Sequence, residues 1–179
     1  MERIFGKPII DQEEMQKRIR DLGRQIASDY EGRDLLLVGV LKGAFAFYAD
    51  LARAIQLPLR VDFLVVTSEY KHKKSGKVEI ISDLSQNITG QDVLLVEDIV
   101  DSGLTVSYLK KSLMAKRPRS LKICTLLDKP ERRKVKVDVD YIGFSIPNKY
   151  VVGYGLDYKN KYRNLPYIAV LDVSEEGDE

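Results

Sequence analysis

The chain has 179 residues, enough for one compact domain with a hydrophobic core but few for two. Its 29 basic and 27 acidic side chains nearly cancel, so net charge predicts no strong attraction to nucleic acid or to a membrane surface. The single cysteine, Cys124, excludes a disulfide within the chain and is typical of a reducing compartment. With neither a bilayer-spanning apolar run nor a secretory leader in the sequence, we expect a cytoplasmic protein.

The first predicted element is a helix that begins with a capping box, in which Asp11 is followed three residues later by Glu14. Apolar residues at helical spacing continue this helix to near Gly32. Two further helices are predicted at Ala44–Ile55 and at about Thr105–Ala115. Short apolar runs predict buried strands at Leu35–Val40, Val61–Val66, Val93–Val96, Leu121–Leu127, Tyr141–Phe144, Tyr150–Tyr154 and Tyr167–Leu171.

Apolar strands that alternate with helices predict an α/β fold, with a central mostly parallel sheet covered by helices on both faces. We expect one domain over residues 1–179. In such sheets ligands bind beyond the carboxyl ends of the strands, so chemistry is expected there. The polar, lysine-rich stretch from residue 68 to about residue 80 predicts a mobile loop, and residues 174–179 form an acidic tail.

The most informative segment is Val93–Thr105, because acidic residues follow a buried strand there. Glu97 and Asp98 come at the carboxyl end of the strand, and Asp101 opens a turn into the next helix. Three carboxylates this close repel one another unless they share a cation. The turn also offers hydroxyl groups, a glycine and the amides of a helix N-terminus, which together predict a phosphate site.

The same turn has a simpler interpretation, since an Asp-Ser-Gly sequence is often only a helix cap. Two acids placed directly after a buried strand favour the functional interpretation. The chain contains neither the P-loop pattern nor the dinucleotide-binding GxGxxG pattern. A phosphate site here is therefore of neither of those kinds.

The nine residues from Glu97 to Thr105 resemble the signature of type I phosphoribosyltransferases. Three other segments resemble hypoxanthine–guanine phosphoribosyltransferases in particular, in the order of that family. They are Leu41-Lys42-Gly43, Asp128-Lys129-Pro130, and Tyr150–Tyr158 followed by Arg163. The resemblance implies the type I phosphoribosyltransferase fold, with a small hood over the base, and a magnesium-dependent enzyme of purine salvage. Such an enzyme moves the phosphoribosyl group of phosphoribosyl pyrophosphate (PRPP) to N9 of hypoxanthine or guanine, giving IMP or GMP and pyrophosphate.

On the PRPP side, the resemblance implies that Glu97 and Asp98 bind the ribose hydroxyls, partly through Mg²⁺. Asp101 would act as general base near N7 of the purine, because N7–H becomes acidic as the ribose carbon approaches N9. The remaining PRPP contacts implied are Ser102, Gly103, Leu104 and Thr105 at the 5-phosphate, and Lys42, Gly43 and Arg163 at pyrophosphate. Lys42 could otherwise be an ordinary surface lysine.

On the base side, the resemblance implies that Lys129 donates to the oxygen at purine C6, which selects 6-oxopurines against adenine. Tyr150 would stack on the ring, and backbone groups of Val151 and Asp157 would bind its other edge. The Asp157 side chain would hold a second Mg²⁺. Tyr150 and Val151 could also simply belong to a buried strand.

The loop departs from the family pattern, because Glu69 stands between Ser68 and Tyr70, where the family has an adjacent Ser-Tyr pair. We predict that residues 68–77 form a lid that excludes water from the reaction centre. His72, the only histidine, lies in this loop and is expected to be solvated.

Several alternatives remain open from the sequence. The base could be xanthine; the chain could be a nucleic-acid-binding regulator that kept the fold; or it could be a plain phosphosugar-binding module. The intact Asp101, Lys129 and Asp157 favour an enzyme without a nucleic-acid partner. The resemblance also implies a homodimer or homotetramer, and Phe45, Phe47 and Tyr48 could supply either an interface or core.

Overall fold

The computed structural model describes residues 3–68 and 78–172 of the chain. Its strands are β1 (Arg3–Ile10), β2 (Leu35–Leu41), β3 (Leu59–Ser68), β4 (Val78–Ser82), β5 (Asp92–Val100), β6 (Ser120–Asp128), β7 (Tyr141–Ser145), β8 (Val151–Val152) and β9 (Ile168–Asp172). Its helices are α1 (Gln12–Asp29), α2 (Phe45–Ala54) and α3 (Leu104–Met114), with a 3₁₀ turn at Pro130–Arg132. Within these residues no helix is both long and apolar enough to cross a membrane.

Six strands form the central sheet in the order β4-β3-β2-β5-β6-β7. All neighbours pair in parallel except β3 and β4, which are antiparallel. The carboxyl ends of five strands therefore meet along one edge. The predicted α/β architecture with a mostly parallel sheet is confirmed.

Both faces of this sheet are buried, which explains why its strands are almost continuously apolar. Along β2, Leu35 and Leu37 pack into a cluster with residues of α1 and α2, whereas Leu36 and Val38 pack into a second cluster with residues of α3. The alternation follows from the two-residue period of a strand. The helices therefore cover opposite faces, leaving the edge formed by the strand ends open.

The helix caps explain where two of the helices begin. Asp11 caps α1, since its Oδ1 accepts a hydrogen bond of 2.9 Å from the amide of Glu14. This helix ends at Asp29, slightly before the predicted end near Gly32. The residue before α3 is Gly103, which has a left-handed backbone and no side chain to cap the helix. The interpretation of Asp101 as a simple cap is therefore wrong.

Three strands form a separate antiparallel sheet in the order β1-β9-β8. The sequence did not predict β1, and it did not separate the two apolar runs that become β8 and β9 from the central sheet. The pairing joins Ile4 to Leu171 and Val151 to Val170. Contacts between such distant segments leave no local pattern in the sequence. This small sheet places Val151 beside the open edge, in the segment from Tyr150 to Arg163 that we call the hood.

Two predicted segments need correction. Residues 78–80 were placed in the mobile loop but belong to β4, which pairs with β3 from Ser68 to Val65. Strand β5 runs on to Val100, so Glu97 and Asp98 lie within it and not after it. The lid residues from Glu69 to Lys77, including Tyr70 and His72, lie outside the described residues. So does the acidic tail.

Candidate active site

A cleft of about 600 Å³ opens at the carboxyl edge of the central sheet. It lies between the ends of β2, β5 and β6 and the hood. The predicted site residues that line it are Lys42, Gly43, Glu97, Asp98, Asp101, Ser102, Gly103, Thr105, Lys129, Tyr150, Val151, Asp157 and Arg163. Of the predicted set, Leu104 alone does not line the cleft; it begins α3.

Two adjacent acids form the floor of the cleft. Glu97 is buried, and the amide of Ile99 donates a 2.8 Å hydrogen bond to Oδ1 of Asp98. Burial raises the pKa of both carboxyl groups, and the charge of Asp98 raises the pKa of Glu97 further. A cation bound in the cleft beside these acids would therefore stabilise their ionised forms.

The acids suit a hard divalent cation, although they cannot enclose one. Carboxylate oxygens are the ligands that Mg²⁺ prefers, and Mg²⁺ commonly takes one or two of them together with substrate phosphates and waters. Among the described residues no group of three or more His, Cys, Asp or Glu side chains is arranged to hold a metal ion by itself. Glu97 and Asp98 thus fit an ion whose other ligands come from a phosphorylated substrate and from water.

A backbone loop after β2 covers the acid pair. The peptide bond between Leu41 and Lys42 is cis, and the Lys42 side chain is exposed at the cleft. Gly43 lies so close to the acids that a β-carbon at this position would be 1.8 Å from Oδ2 of Asp98. A β-carbon on Gly155 in the hood would be 2.0 Å from the carbonyl oxygen of Gly43. Only glycine fits at either position.

The turn from β5 to α3 has the features of an anion-binding surface. Gly103 has φ of 82°, which the turn into the helix requires and which side chains rarely adopt. The first amides of α3 have no intrahelical partner, and that of Leu104 donates a 3.4 Å hydrogen bond to Oγ of Ser102. The Lys134 amide donates a 2.9 Å hydrogen bond to the carbonyl oxygen of Ser102, so the connector after β6 holds the turn in place.

At the other end of the cleft, Lys129 and Asp101 face each other. Lys129 is buried, and its Nζ lies 3.9 Å from Oδ2 of Asp101. Burial lowers the pKa of Lys129, and the nearby Asp101 carboxylate opposes that shift. Nε of Arg132 donates a 3.0 Å hydrogen bond to Oδ1, the other oxygen of the same carboxylate. Asp101 is therefore placed between two cations.

The hood contributes an aromatic ring and an ion pair. Tyr150 is 40% exposed, and its hydroxyl donates a 3.1 Å hydrogen bond to the carbonyl oxygen of Asp157. Oδ1 of Asp157 lies 2.9 Å from Nη2 of Arg163. Nη1 of Arg163 donates to the carbonyl oxygen of Gly155 at 2.7 Å. Arg163 thus links Asp157 to Gly155, the glycine that packs against the Gly43 loop.

Two cationic side chains in the cleft were missed by the sequence analysis, namely Arg132 and Lys134. Both lie in the connector between β6 and β7, which the sequence shows only as a charged stretch. The position of the connector directly after the carboxyl end of a buried strand is the signal that could have identified them.

The aromatic residues of α2 divide between core and surface. Phe47 and Tyr48 are buried in the core, and the Tyr48 hydroxyl donates a 3.0 Å hydrogen bond to the carbonyl oxygen of Leu37. Phe45 is 44% exposed. Of the three residues considered for an interface, only Phe45 is available for one.

Comparison with known proteins agrees with this geometry. Residues 7–159 match the family described as the phosphoribosyl transferase domain. A hypoxanthine-guanine phosphoribosyltransferase of Mycobacterium avium is 52% identical over 171 residues, which are 92% of this chain and 84% of that protein. The bifunctional protein TilS/HprT of Listeria monocytogenes is 49% identical over 172 residues. That match covers 96% of this chain, which spans only about a quarter (26%) of the bifunctional protein.

A solved structure gives the same assignment. The crystal structure of a hypoxanthine-guanine phosphoribosyltransferase from Bacillus anthracis superposes with a TM-score of 0.88 at 44% sequence identity. The match covers 96% of this chain and 99% of that one. The sequence, the fold and the cleft lead to one conclusion: the chain belongs to the phosphoribosyl transferase family and, within it, to the hypoxanthine-guanine phosphoribosyltransferases.

Proposed function

We propose that the chain is a purine salvage enzyme that transfers the phosphoribosyl group of PRPP to N9 of hypoxanthine or guanine. One observation carries the proposal: a buried lysine and a carboxylate, Lys129 and Asp101, share a cleft with the acid pair Glu97–Asp98 and an anion-binding turn. Lys129 and Asp101 suit a purine base, whereas the acid pair and the turn suit a phosphorylated sugar. A site that binds both sets up transfer between them.

Base recognition follows from the hydrogen-bonding groups of Lys129 and Asp101. In 6-oxopurines the oxygen at C6 and N7 lie on one edge of the ring, where the oxygen accepts and a protonated N7 donates. Lys129 can only donate and an ionised Asp101 can only accept, so the two side chains match that edge in one orientation. Adenine has an amino group at C6, which would leave buried Lys129 without an acceptor. Tyr150 would stack on the ring, and Val151 and Asp157 would bind its other edge through backbone groups.

Sugar and pyrophosphate binding would use the remaining groups. The turn from Ser102 to Thr105, including the Leu104 amide, would hold the 5-phosphate at the helix N-terminus. Glu97 and Asp98 would hold the ribose hydroxyls, directly and through Mg²⁺. Lys42, the Gly43 amide and Arg163 would bind pyrophosphate. When bound, Mg²⁺ would supply positive charge that stabilises the departing pyrophosphate, with Asp157 as a candidate ligand for a second ion.

In the reaction, the bond between the ribose C1 and a pyrophosphate oxygen breaks, and a bond between C1 and purine N9 forms. The N7 proton of the base passes to Asp101, and pyrophosphate leaves with the bonding electron pair. Positive charge develops on the sugar ring between these events, so the acids beneath it and the cations around pyrophosphate both act on the transition state.

The same proposal includes self-association, as the family resemblance implies. Three large apolar side chains, Phe45, Val61 and Phe63, are 38–49% exposed and could form part of an interface. Light scattering on the purified protein measures its mass directly. A dimer or tetramer supports this part of the proposal, and a monomer at all concentrations contradicts it.

The function is tested by initial rates with PRPP, Mg²⁺ and each of hypoxanthine, guanine, xanthine and adenine. We expect nucleotide and pyrophosphate in equal amounts with hypoxanthine and guanine, and little with adenine. Turnover with xanthine alone would assign a different base preference. No turnover with any base, while PRPP still binds, would show that the chain is a ligand-binding relative of the enzymes.

A further inference from the structure

The contacts of Asp101 divide its carboxylate into two unequal oxygens. Oδ1 accepts a 3.0 Å hydrogen bond from Nε of Arg132, a good distance for a charged pair. Oδ2 faces Nζ of Lys129 across 3.9 Å, which is too long for a hydrogen bond. Arg132 therefore holds one oxygen, and the other stays out of direct contact with the lysine.

The gap between Asp101 and Lys129 needs an explanation. The Lys129 side chain is 7% exposed and the Asp101 side chain is 38% exposed, and opposite charges 3.9 Å apart in this partly buried setting attract. Left to themselves, the two groups would close to hydrogen-bond distance. Each would then occupy the other's hydrogen-bonding position, and a purine would have to break the ion pair before it could bind.

We infer that Arg132 is a positioning residue for base binding, which holds Asp101 by Oδ1 and so keeps Oδ2 and the Lys129 ammonium open for N7–H and the C6 oxygen. The inference rests on the proposed function and adds to it a residue that touches neither base nor sugar. It also explains why this exposed arginine, with 48% of its side chain accessible, lies at the mouth of the cleft.

The neighbouring arginine has a different task. Arg133 donates from Nη1 to the carbonyl oxygens of Val100 and Asp101 at 2.7 and 2.6 Å, and it pairs with the Asp128 carboxylate. These contacts hold the backbone of the turn, and replacing Arg133 would disturb the turn as a whole. Among the described residues, the Arg132 side chain forms an ion pair and a side-chain hydrogen bond with Asp101 alone, so its replacement tests the carboxylate by itself.

The test is a double-mutant cycle that uses a base analogue unable to react. 9-Deazahypoxanthine keeps the C6 oxygen and N7–H but has carbon in place of N9, so its affinity can be measured by calorimetry with PRPP and Mg²⁺ present. The proteins compared are the wild type, Arg132→Gln, Asp101→Asn and the double variant. Arg24→Gln is the matched control, because it removes an arginine from an ion pair with an aspartate on the exposed face of α1, away from the cleft.

We expect Arg132→Gln to weaken analogue binding about tenfold, the size of a coupling between contacting residues, with PRPP affinity nearly unchanged. In the Asp101→Asn background the same substitution should have little effect, since the neutral amide forms no ion pair with either cation. The Arg24→Gln control should bind as the wild type does.

Three results would overturn the inference. They are unchanged affinity in Arg132→Gln, an equal loss in both backgrounds, and a loss confined to PRPP, which would make Arg132 a phosphate ligand. The wild-type protein separates this failure from a failure of the proposed function. If it turns over hypoxanthine, only the role of Arg132 is refuted; if it neither turns over hypoxanthine nor binds the analogue, the proposed function fails as well.

Discussion

Gly43 lies directly against the carboxylate of Asp98, with room for no side chain between them. The carbonyl oxygen of Gly43 in turn faces Gly155, so the loop after β2 is packed between an acid of the central sheet and the hood. In the proposed function, Asp98 binds the ribose hydroxyls, the loop after β2 binds pyrophosphate, and the hood binds the base. The distances between Asp98, this loop and the hood are therefore set by Gly43 and Gly155, which have no side chains.

The first prediction concerns Gly43→Ala. The added methyl group would displace either Asp98 or the loop, and overpacking of this kind costs about 1–3 kcal/mol. We expect the KM for PRPP to rise by roughly five- to 150-fold, which is that cost expressed as affinity. Initial rates at varied PRPP measure it. An unchanged KM would mean that the loop does not need its observed position against Asp98.

A second prediction compares Gly155→Ala with Gly90→Ala. Both glycines have positive φ, 103° and 71°, so an alanine is strained at either position. A β-carbon at Gly90 meets nothing within 4 Å, whereas one at Gly155 meets the Gly43 carbonyl. Gly155→Ala should therefore lower the free energy of unfolding by about 1–3 kcal/mol more than Gly90→Ala does. Urea unfolding measures both, and equal losses would contradict the packing argument.

A third prediction tests the base-selecting donor. Lys129→Met keeps most of the unbranched side chain but removes its terminal donor, so the C6 oxygen of hypoxanthine would lose a buried hydrogen bond. We expect kcat/KM for hypoxanthine to fall by about a hundredfold and the low activity with adenine to remain. Lys136→Met, at an exposed position of the same connector outside the cleft, is the control. Equal activity of the two variants would remove Lys129 from base recognition.

The fourth prediction concerns acid stability far from the cleft. The buried Asp92 accepts a 3.0 Å hydrogen bond from Nε of Arg119, and this bond holds the pKa of Asp92 below its usual range. A lowered folded-state pKa stabilises the protein above the unfolded-state value, about 3.9, and the effect is lost as pH falls through the folded-state value.

Asp92→Asn should therefore melt a few degrees below the wild type near neutral pH. That difference should begin to shrink as the pH falls through about 4, where the unfolded chain takes up a proton, and it should vanish below the folded-state pKa, where the folded carboxylate is protonated too. Melting curves of both proteins across this range check it. A difference that does not change with pH would show that packing, and not the charge of Asp92, stabilises this end of β5.

The sequence predicted the central sheet and most of the cleft because both leave local signals. Continuous apolar runs such as Leu35–Val40 identify strands buried on two faces, and acids such as Glu97 stand out at their ends. The resemblance then brought Lys129 and Arg163, far apart in the chain, to the same expected site. The structure places both of them at the cleft.

Other features have no local signal. The pairing of β1 with β9 joins opposite ends of the chain, and β4 is a short edge strand that directly follows the lysine-rich stretch. Arg132 looked like any residue of a charged connector. Its contact with Asp101 depends on how the 3₁₀ turn after β6 directs the side chain, which only the three-dimensional structure shows.

The central claim is that Asp101 assists transfer of the phosphoribosyl group to a 6-oxopurine, and the rate of Asp101→Asn with hypoxanthine, PRPP and Mg²⁺ tests it most directly. The asparagine keeps the shape of the side chain but cannot accept the N7 proton as a carboxylate does. We predict that kcat falls by about 10²- to 10⁴-fold, the usual contribution of a general base, while PRPP still binds. A variant that turns over hypoxanthine at the wild-type rate would contradict the claim.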